Sequence, residues 1–214
     1  MTSLRRPPRS KMNREELDHF APFLGLLAIA DNLLPSLVRP GEAVDFSRME
    51  RSAIVLAPGY HPVITANKKG AILSFMPGAS VGRLKITKDC TVIGLDAHRD
   101  SVAEGASAVV TVVGSNVIFR GGSIVAPGSA DCLAIDATSS VVVDGVSFHK
   151  ASGDNLVSIE ALGKAIFVGC IFGPATSTAT ATVNNAGVAA AVDITGCVKQ
   201  SPGAHVAVTI VSEV

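Results

Sequence analysis

The sequence predicts an all-β protein wound as a right-handed, single-stranded parallel β-helix, with an N-terminal arm and a short helix ahead of it. Three observations carry that reading. Gly94, Gly121, Gly145, Gly169 and Gly196 recur at intervals of 27, 24, 24 and 27 residues, each closing a short apolar segment. Aligned on those glycines, CTVIGL, VIFRGGSI, VVVDGVSF, AIFVGCIF and VDITGCVK place their apolar residues in common columns. Within each segment the alternation has the period of two that belongs to a strand. A fixed period of this size marks stacked units that bury their hydrophobic faces only against neighbouring copies. About 24 residues per rung with unequal corners fits a three-sheeted coil better than the ~18-residue hexapeptide triangle.

Taken in order, residues 1–11 are a basic arm, with Pro7 and Pro8 among arginines and too little apolar surface to offset the entropy of ordering. Residues 1–14 carry Arg5, Arg6, Arg9, Lys11 and Arg14 and no acid, whereas residues 105–214 hold four bases against seven acids. Residues 12–50 read as a helical docking segment. Asn13 caps it, with Glu15 and Glu16 at the positive end of the helix dipole. Leu17, Phe20, Phe23 or Leu24, Leu27, Leu34 and Val38 recur at roughly helical spacing, with Pro22 and Pro35 dividing the element. From Ala53 the period changes to two, and 51–214 is assigned to the β-helix. SAIVLAPG, HPVITAN, AILSFMPG and GRLKITKD form its irregular first rungs. Residues 131–154 make one regular rung, on which 107–130 and 155–178 superpose without gaps, and VAVTIV supplies a closing strand.

Alternation assigns the faces. Phe119, Val143, Phe167 and Ile194 point inward, and so do Val117, Val141, Ala165 and Val192 two residues before them. The column between, Thr91, Ile118, Val142, Ile166 and Asp193, faces out. Its large apolar members, Ile118, Val142 and Ile166, call for cover by the chain's own helix or by another subunit, and they are the expected subunit interface.

The chemistry of the side chains is sparse. The chain has 48% hydrophobic residues, a mean hydropathy of +0.43, zero formal net charge and a pI near 7, which describes a soluble domain with no global attraction to nucleic acid or anionic membrane. Phe20 to Val38 is apolar, but Pro22, Asp31, Asn32 and Pro35 interrupt it short of a membrane span. The start has no secretory apolar core, so synthesis in a reducing cytoplasm is expected. Cys90, Cys132, Cys170 and Cys197 lack zinc or redox spacing, and Cys170 and Cys197 share an inward column as stacked thiols. His19, His61, His98, His149 and His205 are scattered and read as surface or corner residues, so no metal is expected. No glycine loop cradles phosphate, and no cofactor is expected.

One carboxylate pair emerges: Asp136 and Glu160 share a position on consecutive rungs, with Asn184 one rung further on. Clustered acids on an outer β-helix face can serve as acid and base in glycan cleavage. Against that stand the absence of Trp, a single tyrosine (Tyr60) and phenylalanines that belong mostly to inward columns, which leaves no sugar platform. Asp131, Arg120, Asp144, Asp96 and Asp100 read as solubilising residues, with Arg120 and Asp144 in a cross-rung ion pair. Catalytic residues are therefore expected to be none, Asp136 and Glu160 being the only candidates, and an enzyme is not expected.

A basic arm, an amphipathic segment and then a compact β-helix resembles, in layout, bacteriophage virion β-helix proteins of the capsid-decoration, head-spike or tail-spike kind. The resemblance rests on no diagnostic motif and carries over no functional residue. It implies a homotrimer of β-helices in the virion, attached to a major capsid or other virion protein through the N-terminal segment, in which this chain's own basic and apolar residues Arg5, Arg6, Arg9, Lys11, Arg14, Phe20, Leu24 and Leu27 are the expected docking residues. The chain is short beside enzymatic tail spikes, which favours decoration over depolymerisation. A carbohydrate-binding or polysaccharide-cleaving β-helix protein, and a scaffold that polymerises as bactofilins do, are the alternatives. The rung length counts against the second.

Overall fold

The computed structural model describes residues 35–41, 43–98, 108–127, 130–150, 156–173, 183–185, 192–201, 204–206 and 210–212. The basic arm, the helix expected from Asn13 and the docking residues Arg5, Arg6, Arg9, Lys11, Arg14, Phe20, Leu24 and Leu27 lie outside them.

The described chain is a parallel β-solenoid, nearly all strand, with one 3-10 turn at Phe46–Arg48. It is built from a 13-stranded sheet and an 8-stranded sheet. In the larger sheet, Cys90–His98, Asn116–Ala126 and Ser140–Lys150 each run unbroken through a glycine at which the strand bends. That sheet therefore supplies two walls of the coil. The third wall is the smaller sheet, with strands including Leu84–Ile86, Ala108–Val112, Asp131–Ile135 and Val157–Ile159. The expected rung of three extended pieces and three corners is what forms.

The glycine column follows from geometry. Gly94, Gly121, Gly145, Gly169 and Gly196 have φ of 64°, 65°, 65°, 57° and 64°, a left-handed bend that L side chains rarely adopt. Each sits where the strand turns from one wall to the next.

Register bears out the inward columns. Val92, Phe119, Val143, Phe167 and Ile194 lie side by side on successive rungs, and all but Ile194 are fully buried. The neighbouring ladder of Val117, Val141, Ala165 and Val192 is also in register. The aromatic part of the core is tight. Phe148 and Phe172 are register partners with rings stacked 5.1 Å apart at 8°, and Phe167 meets Phe172 edge-on at 5.8 Å. Burying such side chains contributes about 1.5–3 kcal/mol each, and every one depends on a neighbouring rung for its cover.

The early rungs differ from the sequence expectation. The coil starts before Ala53: Ser36–Val38 pairs with Ala53–Leu56, and Val44–Asp45 pairs with Ile64–Ala66, inside the stretch read as helical docking segment. Val38, read as part of the helical stripe, is buried in the first of these strands. Ile54 lies beside Leu73 and Leu73 beside Val92, a spacing of 19 residues, against the 24 that separates Phe119 from Val143. Walls of three to five residues are retained while the corners shorten, and corners set the rung length.

The gapless superposition of 107–130 on 131–154 also fails by one residue on one wall. Asn116 pairs with Ser140, but Ala108 pairs with Asp131 and Val110 with Leu133. The corner between the two walls is one residue longer on the later rung, and Asp136 opens that longer corner.

Polar residues also enter the interior, Lys150 and His61 among them. Lys150 stands in register with buried Ala126, and its Nζ meets Asp131 Oδ1 at 3.3 Å. His61, expected at the surface or a corner, stands in register with Val81 and is fully buried, its Nε2 3.0 Å from the Ala57 carbonyl oxygen. At the C-terminal end, Ala204–Val206 folds back antiparallel on Val198–Ser201, while Ile210–Ser212 continues the smaller sheet in parallel.

Gly122 and Gly145 separate two requirements. A Cβ at Gly122 would lie 2.0 Å from the Leu95 carbonyl oxygen, with φ at +115°, whereas at Gly145 there is open space and only a left-handed φ. Gly145→Ala should therefore cost about 1 kcal/mol in a denaturant titration. Gly122→Ala should cost more than about 3 kcal/mol, because backbone must move apart between rungs. Equal losses would contradict this packing.

Candidate functional site

The strongest surface feature is the outer face of the wall that carries Ile118. Thr91, Ile118, Val142, Ile166 and Asp193 are register partners on successive rungs, as the alternation requires, and Ile72 extends the column toward the N-terminus. Ile118 is 37% exposed and Ile166 43%, with Val142 half-buried between them. Val168 and Ile171, at 38% and 39%, widen the apolar strip across the corner at Gly169. Isolated exposed aliphatic residues are ordinary, but a contiguous ladder of them is not.

Arg120 and Asp144 lie in the adjacent column as register partners, both exposed. The ion pair expected between them does not form among the described residues. Two solvated side chains gain little from holding one geometry, so each stays in water.

Asp136 and Glu160 are brought to matching corners, since Ile135 and Ile159 are register partners just before them. Asn184 is not the third member. It pairs with Ser158, and Asn185 pairs with Ile159, because two extra residues enter that rung. The place beyond Glu160 falls outside the described residues.

Both carboxylates are engaged with backbone. Asp136 accepts from the Ser139 hydroxyl at 2.5 Å, from the Thr138 N–H at 3.1 Å and from the Gly114 N–H of the preceding rung at 3.0 Å. Glu160 accepts from the Ala137 N–H one rung back at 3.3 Å. Each acid thus ties its corner to the corner below. Burial raises the Asp136 carboxyl, but the donors on Ser139, Gly114 and Thr138 outweigh it and hold the group below the ordinary carboxylate value. A general acid needs the opposite shift, and a carboxylate filled by three sets of donors has little freedom to shuttle protons.

The same device recurs at a corner the sequence reading did not single out. Asp89 Oδ1 accepts from the Asn116 N–H at 2.8 Å, one rung ahead, and this contact lowers its pKa more than any other. The available signal was a carboxylate or amide placed just before a strand on consecutive rungs.

Asp89, Thr91, Asn116 and Ser140, with Ile118 and Val142, line a shallow groove of about 380 Å³ on this outer face. Asn116 and Ser140 are register partners along one side of it, and Thr91, Ile118 and Val142 follow one another along the next outward column. Among the described residues no group of His, Cys, Asp and Glu could hold a metal ion, and no helix is long and apolar enough to cross a membrane. His98 is exposed, His149 is half-buried, and His19 and the side chain of His205 lie outside the described set. No family model, curated protein or solved structure matches the chain.

Because Asp45, Asp89 and Asp136 all have lowered pKa values, their contribution to stability is present above the ordinary carboxylate value and is lost as pH falls through the depressed folded values. Thermal melts should be level from about pH 7 to about pH 5 and fall below about pH 4. Asp136→Ala should lose about 1 kcal/mol at pH 7, as the bonds to Gly114, Thr138 and Ser139 pass to water, and less at pH 3, where the carboxylate is losing its charge. A variant equally destabilised at both pH values would remove the corner clamp.

Proposed function

We propose that this chain is a non-enzymatic structural protein of a phage-like particle, attached through its N-terminal segment with the β-solenoid projecting as a homotrimer. The observation that carries the reading is the aliphatic ladder of Ile118, Val142 and Ile166 on one outer wall, half exposed and continuous over three rungs. Rigid coils set side by side about a threefold axis bury such a strip, and Arg120 and Asp144 at its margin supply charges of both signs for the sister subunits. The basic residues Arg5, Arg6, Arg9, Lys11 and Arg14, with Phe20, Leu24 and Leu27, form the docking peptide for an acidic protein surface, the role that the layout of such virion proteins gives their N-terminal segments.

A glycan-binding role is the second reading, favoured by the groove lined by Asp89, Thr91, Asn116 and Ser140. The two readings exclude one another at this wall, because the groove shares Ile118 and Val142 with the apolar ladder.

Light scattering decides between them. The trimer reading expects three times the chain mass of 21.8 kDa, reduced to one chain by Ile118→Asp with Ile166→Asp. A wild-type monomer that retains an oligosaccharide, lost on Asn116→Ala, would replace it with the glycan reading. Removal of residues 1–34, ahead of the first described strand at Ser36, should leave the oligomer folded and abolish attachment to particles. Truncated protein that still decorates particles would overturn the docking assignment.

A further inference from the structure

We propose that Cys170 and Cys197 form a redox staple between consecutive rungs, closing to a disulfide when the protein meets an oxidising thiol–disulfide pool. The two residues follow Gly169 and Gly196 at the same corner, immediately before the register pair Ile171 and Val198. The rungs are joined there by backbone, since the Val198 N–H donates to the Cys170 carbonyl at 3.0 Å. The Cys197 sulfur lies against the neighbouring rung as well. The Cys170 N–H donates to Cys197 Sγ at 3.3 Å. In-register parallel neighbours have Cα atoms about 4.8 Å apart, inside the 4.4–6.8 Å range that a disulfide spans.

The surroundings give the two sulfurs different parts. Cys170 is fully buried, and its thiol donates toward the Val143 carbonyl at 3.4 Å. Burial pushes its pKa up to about 12, so it rests as the thiol. Cys197 is partly exposed, at the outer edge of the core, and is the sulfur an external reagent reaches. The other two cysteines stand apart in register: Cys90 lies beside Ala71 and Val117, and Cys132 follows Asp131, the partner of Ala108. Neither has a cysteine in its column.

The exchange balances with glutathione disulfide as oxidant. The Cys197 thiolate attacks one sulfur of the glutathione disulfide, forming a mixed disulfide and releasing one glutathione. The Cys170 thiol then loses its proton to solvent, and its sulfur attacks Cys197 Sγ, releasing the second glutathione. Two thiols are oxidised, one disulfide is reduced to two glutathiones, and the protein loses two hydrogens. The bond closes a loop over a whole rung near the C-terminal end, where the last strands have fewer rungs beyond them to bury against.

The test uses full-length protein, reduced, desalted and incubated with glutathione disulfide without denaturant, then read by intact mass and by non-reducing peptide mapping. The expected result is a loss of two mass units, a peptide pair joining Cys170 to Cys197, and a melting temperature raised by roughly 5–10 °C that returns on adding reductant. Cys197→Ala should abolish the mass change and the shift, whereas Cys132→Ala should leave the cross-link in place in whatever fraction of the protein folds. Glutathione remaining on Cys197, a disulfide using Cys90 or Cys132, a link between two chains, or a cross-link that leaves the melting temperature unchanged would each overturn the proposal.

Discussion

The whole molecule depends on in-register parallel stacking. No rung has an interior of its own: Phe119 is buried because Val92 and Val143 lie beside it, and Phe167 because Val143 and Ile194 do. A parallel ladder pairs each residue with its equivalent one rung away, so a side chain is chosen by its neighbours at a fixed offset and not by residues close in sequence. Everything else follows from keeping that offset constant. Left-handed glycines turn the chain at the same point in each rung. Acids at the corners accept backbone N–H groups from the adjoining rung, so the segments between walls are tied down by the same vertical logic as the walls.

This explains which features were legible in the sequence. Between Cys90 and Thr195 the walls of the larger sheet repeat at 24 or 27 residues, and the columns of Phe119 and Ile118 could be assigned to inside and outside from alternation alone. Before Cys90 the spacing shortens to 19, the corner glycines no longer line up with the later ones, and the strand at Ser36–Val38 is three residues long. A period of another length, carried by only a few short rungs, does not stand out from the sequence. Asn184 was misplaced for the same reason: a two-residue insertion upstream moved it from the Glu160 position to that of Ser158.

Lys150 and His61 show a different limit. Alternation from Phe148 places Lys150 inside, and the rung order places His61 in the column of Val81, yet residue type argues for the surface in both cases. Position prevailed because a partner was within reach, Asp131 for the lysine and the Ala57 carbonyl for the histidine. The carboxylates teach the converse. Asp136 and Glu160 were correctly brought together, but their oxygens serve the fold, and only the positions of Gly114, Ala137 and Ser139 in space reveal it.

The strand Ala204–Val206 bears on how such coils behave in company. A parallel stack ending in a bare parallel edge offers a ready template for the first rung of another copy, and that is the geometry from which filaments grow. Here the wall that ends in Val198–Ser201 is closed by a strand running the opposite way. A reversed strand cannot hand on the register, so along this wall the parallel ladder stops at Val198–Ser201.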